Sequence, residues 1–283
     1  MARLISLAIV TRDRADLFER FALPSLLGLP ADAAEVLVVD QSTGDSTRTL
    51  TEHVPGVRYL RSEPGLSRGR NAALRAASTP LVAFTDDDVE FGPGWLEGIR
   101  EGFARDPRIG VVCGLGVDSS GRPVPGRLPG VYAWPTNPFG LAHGFNMAIR
   151  LRAVEDVGLF DERLGAGAEF RSGEDSDMLY RIMRAGWTVL CHDGITVVHH
   201  TWRYGPDALR LHGGYGMGAG AQTAKHLRRG DRTAGRLALV EAARHALTVA
   251  RWTAKRRPRG VMVQLAWGTG LARGFVRGLT RRL

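Results

Sequence analysis

The sequence predicts an α/β fold in which helices flank a mostly parallel sheet, followed by a helical appendage at the C-terminus. Short apolar runs bounded by turn residues alternate with segments that carry apolar residues at helical spacing, which is typical of βαβ units. Two of these runs lead into acids, at Asp40 and at Asp86, and open α/β sheets bind ligands at such strand ends. Residues 204–283 instead carry apolar residues at helical spacing among many arginines.

The first third of the chain supplies four predicted strands and the helices between them. The strands cover residues 4–10, 36–40, 57–60 and 81–84, and the helices cover residues 17–27 and 66–77. The runs are short, apolar and bounded by turn signals, as buried strands are. Consecutive strands joined through helices predict parallel pairing.

Further along the chain the pattern is less regular. Helices are predicted over residues 95–103 and 151–157 and after the acids of 172–177, and strands over residues 108–113, 187–191 and 195–198, with order returning at 144–149. Residues 116–142 are rich in Gly and Pro, so we predict a long loop without a regular element. A loop of that length inside a domain usually serves as a lid or a substrate loop.

Three consecutive carboxylates, Asp86, Asp87 and Asp88, follow the fourth predicted strand. Adjacent acids repel one another, so a positive group should share their site. A hard divalent cation with oxygen ligands is the natural candidate, and it could in turn hold a diphosphate. An acidic, solvated loop is the alternative interpretation.

The loop after the first predicted strand lacks the two common phosphate-binding motifs. It contains neither G-x-G-x-x-G nor G-x-x-x-x-G-K-[ST], so the sequence lacks a dinucleotide fingerprint and a P-loop there. Metal and basic residues would have to bind a diphosphate instead. Arg70 suits that role, whereas Arg68 better fits a solvated helix face.

A second acidic cluster, with Glu174, Asp175 and Asp177, opens the helix that ends at Gly186. Acids are common in a first helical turn because they interact favourably with the helix dipole, so a purely structural role stays open. The last predicted strand delivers His199 and His200. Either histidine could ligate a metal beside the acidic site, although such a pair is more often ordinary surface.

Composition indicates an ordinary globular chain with an uneven distribution of charge. The 283 residues are 44% hydrophobic and 24% charged, which suits one large domain or one and a half. Residues 1–200 carry a net charge of −5 and residues 201–283 a net charge of +14. Cys113 and Cys191 fit buried thiols in a reducing compartment. Without a cleavable signal pattern or an apolar run of about 20 residues, we expect a cytoplasmic protein.

Together these motifs resemble the inverting family 2 glycosyltransferases, which have the Rossmann-like GT-A fold. The resemblance covers about residues 4–203 and rests on motifs in a specific order. They are Thr11-Arg12, the acid of Val39-Asp40-Gln41-Ser42, the run Gly65–Asn71, Asp86-Asp87-Asp88 with Pro93-Gly94-Trp95, Gly144–Ala148, Gly173–Asp177 and His199. One departure is Gln41-Ser42-Thr43, where many members read Asp-Gly-Ser.

The resemblance implies a role for each of these residues. Nucleotide-sugar binding would fall to Thr11, Arg12, Asp40, Arg70, Asn71, Asp86 and Asp87. A divalent cation, Mg²⁺ or Mn²⁺, would be held by Asp86, Asp88 and His199. The acceptor would contact Asn146, Gly173 and Glu174, and Asp175 with Glu174 would form the pair that holds the catalytic base. Residues 1–203 would form the catalytic domain, with the nucleotide-sugar half over about 1–115 and the acceptor half over about 116–203.

The implied reaction is metal-dependent, inverting transfer of a sugar from a nucleotide diphosphate-sugar to a hydroxyl of a saccharide or lipid-linked acceptor. Enzymes of this kind usually serve envelope polysaccharide and glycolipid synthesis. The alternatives are a phosphoryl- or nucleotidyl-transfer enzyme that binds sugar nucleotides, and an inactive binding homologue. A haloacid-dehalogenase-type phosphatase fits the sequence less well. In that family the D-x-D pair follows the first strand, which it does not do here, and Thr or Val occupies the position of Glu90.

The basic C-terminal region predicts contact with a polyanionic surface. We expect residues 204–283 to dock on the cytoplasmic face of an anionic membrane, because apolar positions at helical spacing alternate with arginines and a basic knot at 255–259. The alternative is a helical pair packed on the catalytic domain, with Gly270, Gly274 and Gly278 allowing close contact. A homodimer through the same helices is compatible with either. We expect no nucleic-acid partner, because a nucleic-acid binder would not need the acidic clusters.

Overall fold

A computed structural model describes residues 4–30, 32–126, 128–201 and 207–281. The chain divides into two compact units, one formed by Met1–Phe160 with Met178–Trp202 and the other by Asp161–Asp177 with Arg203–Leu283. The domain boundary predicted between residues 203 and 204 lies outside the described residues. The internal segment 161–177, which the sequence analysis placed in the first domain, groups with the C-terminal helices.

The first unit is built on one nine-stranded sheet. Its strands are β1 (Ile5–Thr11), β2 (Glu35–Asp40), β3 (Val57–Arg61), β4 (Leu81–Asp86), β5 (Val89–Phe91), β6 (Ile109–Asp118), β7 (Gly130–Tyr132), β8 (Met147–Arg150) and β9 (Thr188–His199). The strand order is β3-β2-β1-β4-β8-β6-β9-β5, and β7 pairs with β9.

Strands β1 to β4 are parallel, whereas β8 is antiparallel to both of its neighbours, β4 and β6. Strands β6 and β9 are again parallel. The predicted α/β class is therefore confirmed. In the register of the parallel strands, Thr11 lies opposite Asp40, and Val10 lies opposite Asp86. The carboxyl ends of β1, β2 and β4 consequently meet at one edge of the sheet.

Helices connect these strands. They are α1 (Ala15–Leu17), a π-helical turn at Phe18–Ala22, α2 (Leu23–Leu27), α3 (Ser46–Glu52), α4 (Leu66–Ala76), α5 (Trp95–Ala104), α6 (Leu151–Val157) and α7 (Glu174–Arg184). The core explains why most of β1 is apolar. Ile5, Leu7 and Ile9 pack in one apolar cluster, while Ala8 packs in another. A strand buried on both faces cannot alternate with polar residues.

The glycine-rich region 116–142 is more ordered than predicted. Strand β6 continues to Asp118, and β7 adds a short antiparallel pair to β9. Gly116 in this part of β6 serves close packing, because a β-carbon there would lie 2.9 Å from the ring of Phe145. The two strands predicted over 187–198 are likewise a single strand, β9.

Cys113 and Cys191 are free, buried thiols on neighbouring positions of β6 and β9. Their sulfur atoms lie 3.0 Å apart. The hydrogen bond to Cys191, together with burial, raises the pKa of the Cys113 thiol well above its usual value. Cys113 therefore stays protonated near neutral pH, and both buried cysteines behave as core residues.

The second unit contains three long helices, α8 (Asp207–Arg228), α9 (Arg232–Ala254) and α10 (Pro258–Thr280). The predicted helical C-terminal region is thus confirmed. Among the described helices, none combines the length and the apolar character that crossing a bilayer requires.

Helices α8 and α10 pack backbone against backbone through glycine. A β-carbon at Gly216 or Gly220 of α8 would overlap the α10 backbone, at Trp267 and Leu271 respectively. The relation is reciprocal, because a β-carbon at Gly274 of α10 would overlap the carbonyl of Met217. Glycine at these positions is therefore a steric requirement of the helix pair.

Substitution of two glycines in α10 tests this packing. Gly274→Ala should lower stability by about 2 kcal/mol or more, because overpacked backbones must move apart. Gly268→Ala is the matched control, since no atom outside its own helical turn lies within 4 Å of a β-carbon at that position. The control should gain up to about 1 kcal/mol from helix propensity. Thermal unfolding followed by circular dichroism measures both, and equal midpoints would contradict the steric role.

Candidate active site

The carboxyl edge of β1 and β4 gathers the three consecutive acids. The Thr11 hydroxyl at the end of β1 donates a hydrogen bond of 2.7 Å to Oδ2 of Asp87. Asp87 and Asp88 are both buried, at 2% and 1% exposure. Sequence proximity put these acids together, but their burial means that each charge needs a partner inside the protein.

Arg14 supplies that partner from the loop after β1. Its guanidinium lies 2.9 Å from Oδ1 of Asp87 and also donates to Oδ2 of Asp88. The Thr201 hydroxyl donates to the same oxygen of Asp88 and accepts from Arg14 at 3.0 Å. Burial disfavours the Arg14 charge, but Asp87 and Asp88 outweigh it and raise the arginine's pKa.

Neither Arg14 nor Thr201 is among the residues predicted from the sequence. Three adjacent acids predict a positive group in their site, and Arg14 is one such group. Arg12, which was predicted from the same loop, has a side chain that is 49% exposed and lies 3.6 Å from Asp13. Thr201 lies 113 residues from Asp88 in the chain, so no local pattern indicated it.

Neighbouring carboxyl groups titrate differently here. Burial raises the pKa of Asp87 to about 7, although Arg14 and Thr11 oppose that rise. For Asp88 burial acts in the same direction, but His199, Arg14 and Thr201 together hold its pKa below the usual value. Asp88 is therefore ionised near neutral pH, as a metal ligand must be.

A candidate metal centre lies beside this pair. Asp86, Asp88 and His199 each offer one ligand atom, and the three atoms lie within 4.8 Å of one another. Nε2 of His199 is 3.7 Å from Oδ1 of Asp88 and 3.9 Å from Oδ2 of Asp86. Oδ1 of Asp88 is buried and accepts no hydrogen bond from any of the described residues. A divalent cation suits this set of two carboxylates and one imidazole, in which one carboxylate oxygen receives no hydrogen bond from the described residues.

The structure also separates the two neighbouring histidines. His200 stacks on Phe21, with ring centroids 3.8 Å apart. Its Nε2 lies 3.1 Å from Oε2 of Glu90. His199, at the end of β9, is the histidine that approaches the two aspartates.

A polar cavity of about 420 Å³ lies beyond the end of β2. Its lining residues are Gln41, Ser42, Thr43, Arg61, Ser62, Glu63 and Pro64. Asp40 is fully buried beside it, where Oδ2 accepts from the Tyr59 hydroxyl and Oδ1 from the backbone N–H of Ser42, both at 2.8 Å. The cavity thus lies at the sheet edge and has hydrogen-bonding groups on its walls.

Gln41, the residue after Asp40, supports the cavity wall through its side-chain amide. Nε2 donates to the carbonyls of Glu63 at 2.5 Å and Gly65 at 2.9 Å. Oε1 accepts from the backbone N–H of Gly65 at 3.2 Å. These bonds hold the loop between β3 and α4.

Arg70 and Asn71 of α4 are buried in the first unit. The Arg70 guanidinium lies against the rings of Phe84 and Phe160, at 5.8 and 5.6 Å from their centroids. The Asn71 amide bonds the backbone of Phe160, accepting from its N–H at 2.9 Å and donating to its carbonyl at 3.0 Å. Asn71 therefore anchors Phe160, while Arg68 on the same helix is exposed.

Asn146, a predicted acceptor-binding residue, has scaffold partners as well. Its Oδ1 accepts from the Trp95 indole N–H at 2.9 Å. Its Nδ2 donates to the carbonyls of Leu115 at 2.9 Å and Ile195 at 3.4 Å. The side chain thereby links α5 with β6 and β9.

The second acidic cluster begins in the second unit. Gly173 adopts a φ of +93°, in the left-handed region that favours glycine, immediately before α7. Glu174 is buried at 6% exposure, whereas Asp175 is half-buried. Asp177 is fully buried and paired with Lys225 and His226. The cluster therefore offers carboxylates with very different access to water.

Residues 6–155 match the model of the family described as glycosyl transferase family 2. An N-acetylglucosaminyl-diphospho-decaprenol L-rhamnosyltransferase of Mycobacterium tuberculosis is 27% identical over 242 residues, covering 71% of this chain and 77% of that protein. A pre-mycofactocin glycosyltransferase of the same organism is 28% identical, and the matched region covers 70% of this chain and 43% of that protein.

Solved structures are similar in fold. A mannosyltransferase from Pyrobaculum calidifontis, in complex with GDP-Man and Mn²⁺, matches with a TM-score of 0.66 and 17% identity over 97% of this chain and 87% of that one. S. aureus TarS 1-349, in complex with UDP-GlcNAc, matches with a TM-score of 0.56 and 16% identity over 94% and 92%. The family match covers more than half of the chain, so this protein belongs to glycosyl transferase family 2 and is a glycosyltransferase with the GT-A fold.

Proposed function

We propose that the protein transfers a sugar from a nucleotide diphosphate-sugar to a hydroxyl of a saccharide or lipid-linked acceptor, with inversion and with the help of a divalent cation. The observation that carries the proposal is the approach of Asp86, Asp88 and His199 at the carboxyl edge of the sheet. The relatives support it, because one is named as acting on a diphospho-decaprenol-linked sugar and one fold neighbour is in complex with GDP-Man and Mn²⁺.

The donor would lie along the strand ends of the first unit. The cavity beside Asp40 suits the nucleoside, with Thr11 and Arg70 near it, and Asp86 and Asp87 would lie toward the ribose and diphosphate. Asp86, Asp88 and His199 would hold Mg²⁺ or Mn²⁺, which neutralises negative charge on a departing diphosphate. Arg14 holds Asp87 and Asp88 in position and reduces their mutual repulsion.

The acceptor hydroxyl would lose its proton to the acidic pair that opens α7. We propose Asp175 as the base, with Glu174 beside it, because Asp175 keeps more access to solvent. The hydroxyl oxygen forms a bond to the anomeric carbon as the bond from that carbon to the diphosphate oxygen breaks. The proton passes to the carboxylate, and one such displacement inverts the anomeric centre.

The surface of the C-terminal helices suggests where the protein encounters its acceptor. Large apolar side chains are exposed on α9 and α10: Leu239, Val240 and Leu247, and Met262, Leu265, Val276 and Leu279. Arginines are interspersed with them, and residues 201–283 carry a net charge of +14. Exposed leucines beside arginines favour the interface of an anionic bilayer. We propose that the protein works peripherally at the cytoplasmic face of the membrane and serves envelope glycolipid or polysaccharide synthesis.

The metal centre is tested by Asp88→Asn. Loss of one charged ligand should abolish Mn²⁺-dependent binding of UDP, GDP or dTDP, measured by isothermal titration calorimetry, while the circular dichroism spectrum stays unchanged. Glu90→Gln, a nearby acid that is 57% exposed, should bind as the unsubstituted chain does. Undiminished nucleotide affinity in Asp88→Asn would contradict the metal assignment.

The base is tested by Asp175→Asn and Glu174→Gln. Asp175→Asn should lower kcat by about 10²–10⁴-fold with little change in donor affinity, because a base acts in the transition state. Release of nucleoside diphosphate from a panel of UDP-, GDP- and dTDP-sugars measures the rate. An inactive Glu174→Gln beside an active Asp175→Asn would reverse the two roles, and two active variants would reduce the cluster to a helix start.

The membrane face is tested by co-flotation with liposomes that contain phosphatidylglycerol. The full chain should float at low salt and less at high salt, because salt screens the basic helices. Leu239→Asp with Leu247→Asp should weaken flotation, and Leu128→Asp, a control at a leucine that is 79% exposed in the first unit, should not. A chain that stays unbound to anionic liposomes at low salt would rule out this face. Sedimentation without liposomes would reveal a homodimer through the same helices.

A further inference from the structure

A buried ionic network lies in the second unit and takes no part in the proposed chemistry. The Lys225 ammonium of α8 is 2.7 Å from Oδ2 of Asp161 and 3.0 Å from Oδ2 of Asp177. Nε2 of the next residue, His226, lies 2.9 Å from Oδ1 of Asp177. Lys225, His226 and Asp177 are 4%, 2% and 0% exposed. Both oxygens of Asp177 are therefore held by α8.

The network is part of a longer contact along one face of α8. Gln222 accepts a hydrogen bond of 2.7 Å from the Ser176 hydroxyl. Gly218 lies so close to Gly173 that a β-carbon at position 173 would come within 2.9 Å of its carbonyl. Residues 218, 222, 225 and 226 are spaced as one stripe of a helix. That stripe holds successive residues of the segment that leads into and begins α7.

The direction of these contacts matters for the acidic pair. Residues two apart in an α-helix point about 160° apart, so Asp177 and Asp175 project from opposite sides of the first turn of α7. The stripe on α8 thus grips the turn on the side away from Asp175. Fixing the rotation of the turn therefore fixes the direction in which the Asp175 carboxylate projects.

Burial of these charged groups points to a role other than stabilising the fold. Removing an ammonium and carboxylates from water is costly, and apolar side chains of the same volume often stabilise a fold as well or better. Such networks can instead impose one geometry among several, and here they impose it on the turn that carries Glu174 and Asp175.

We infer that Gln222, Lys225 and His226 of α8 are positioning residues that set the orientation of the base-bearing turn at the start of α7. The inference rests on the proposed role of Asp175. It gives the C-terminal unit a part in turnover that is separate from its exposed apolar faces.

The experiment compares full-length variants in which the network is altered. Lys225→Met and Asp177→Asn should lower kcat by about 10–100-fold, measured as nucleoside diphosphate release from whichever UDP-, GDP- or dTDP-sugar is turned over. Binding of the corresponding nucleoside diphosphate with Mn²⁺ should change less than about two-fold, because that site belongs to the first unit. Lys225→Arg keeps the cation and should recover most of the lost rate.

Glu241→Gln is the matched control. Glu241 is a buried acid of the same unit, 4% exposed, paired with Arg244 and His245 on its own helix. Its loss should lower the unfolding midpoint without the loss in kcat. Hydrogen exchange read by mass spectrometry should accelerate at residues 174–177 in Lys225→Met and in Gln222→Leu, but not in Glu241→Gln.

The outcomes distinguish a failure of the positioning role from a failure of the proposed base. Normal kcat in Lys225→Met and Asp177→Asn, in a chain where Asp175→Asn is inactive, would overturn the positioning role and leave the base intact. Equal losses of kcat in Lys225→Met and Glu241→Gln would also overturn it, as general destabilisation. If Lys225→Met does not fold, Gln222→Leu and Lys225→Arg decide by the same two readouts. Activity in both Asp175→Asn and Glu174→Gln would instead remove the proposed base.

Discussion

A carboxylate withdrawn from water must be given a cation or hydrogen-bond donors, and this demand shapes both acidic regions of the chain. At the sheet edge, Arg14 is the cation that pairs with Asp87 and Asp88. In the second unit, Lys225 is the cation that pairs with Asp161 and Asp177. Each basic residue lies outside the acidic motif that it serves. Each acidic motif therefore depends on a basic residue that none of the recognised motifs contains.

The strand ends could be read from the sequence because their signal is local. A strand buried on both faces must be continuously apolar, which marked β1, β2 and β4 and placed Asp40 and Asp86 at one edge. Three adjacent acids also announced that a cation was needed. The choice between His199 and His200 had no local signal, because their difference depends on which side of β9 faces Asp88.

Other features depend on distant partners, which periodicity and composition do not contain. Glycine density indicated a loop over 116–142, yet Gly116 lies in β6, where a β-carbon would come within 2.9 Å of the Phe145 ring. The basic tail indicated a surface that contacts a polyanion, yet Lys225 and His226 within it are buried. In both cases the residue type was informative, but its neighbour in space decided its use.

The grouping of residues 161–177 with the C-terminal helices has a consequence for synthesis of the chain. The sheet strands up to β8 precede this segment, but its partners on α8 come about 45 residues later, and α8 packs on α10, which ends at Thr280. A nascent chain can therefore complete most of its sheet long before the start of α7 has anything to pack against. The turn that bears Glu174 and Asp175 would be among the last parts to pack, so a prematurely terminated product would keep the candidate metal ligands Asp86 and Asp88 while lacking support for that turn.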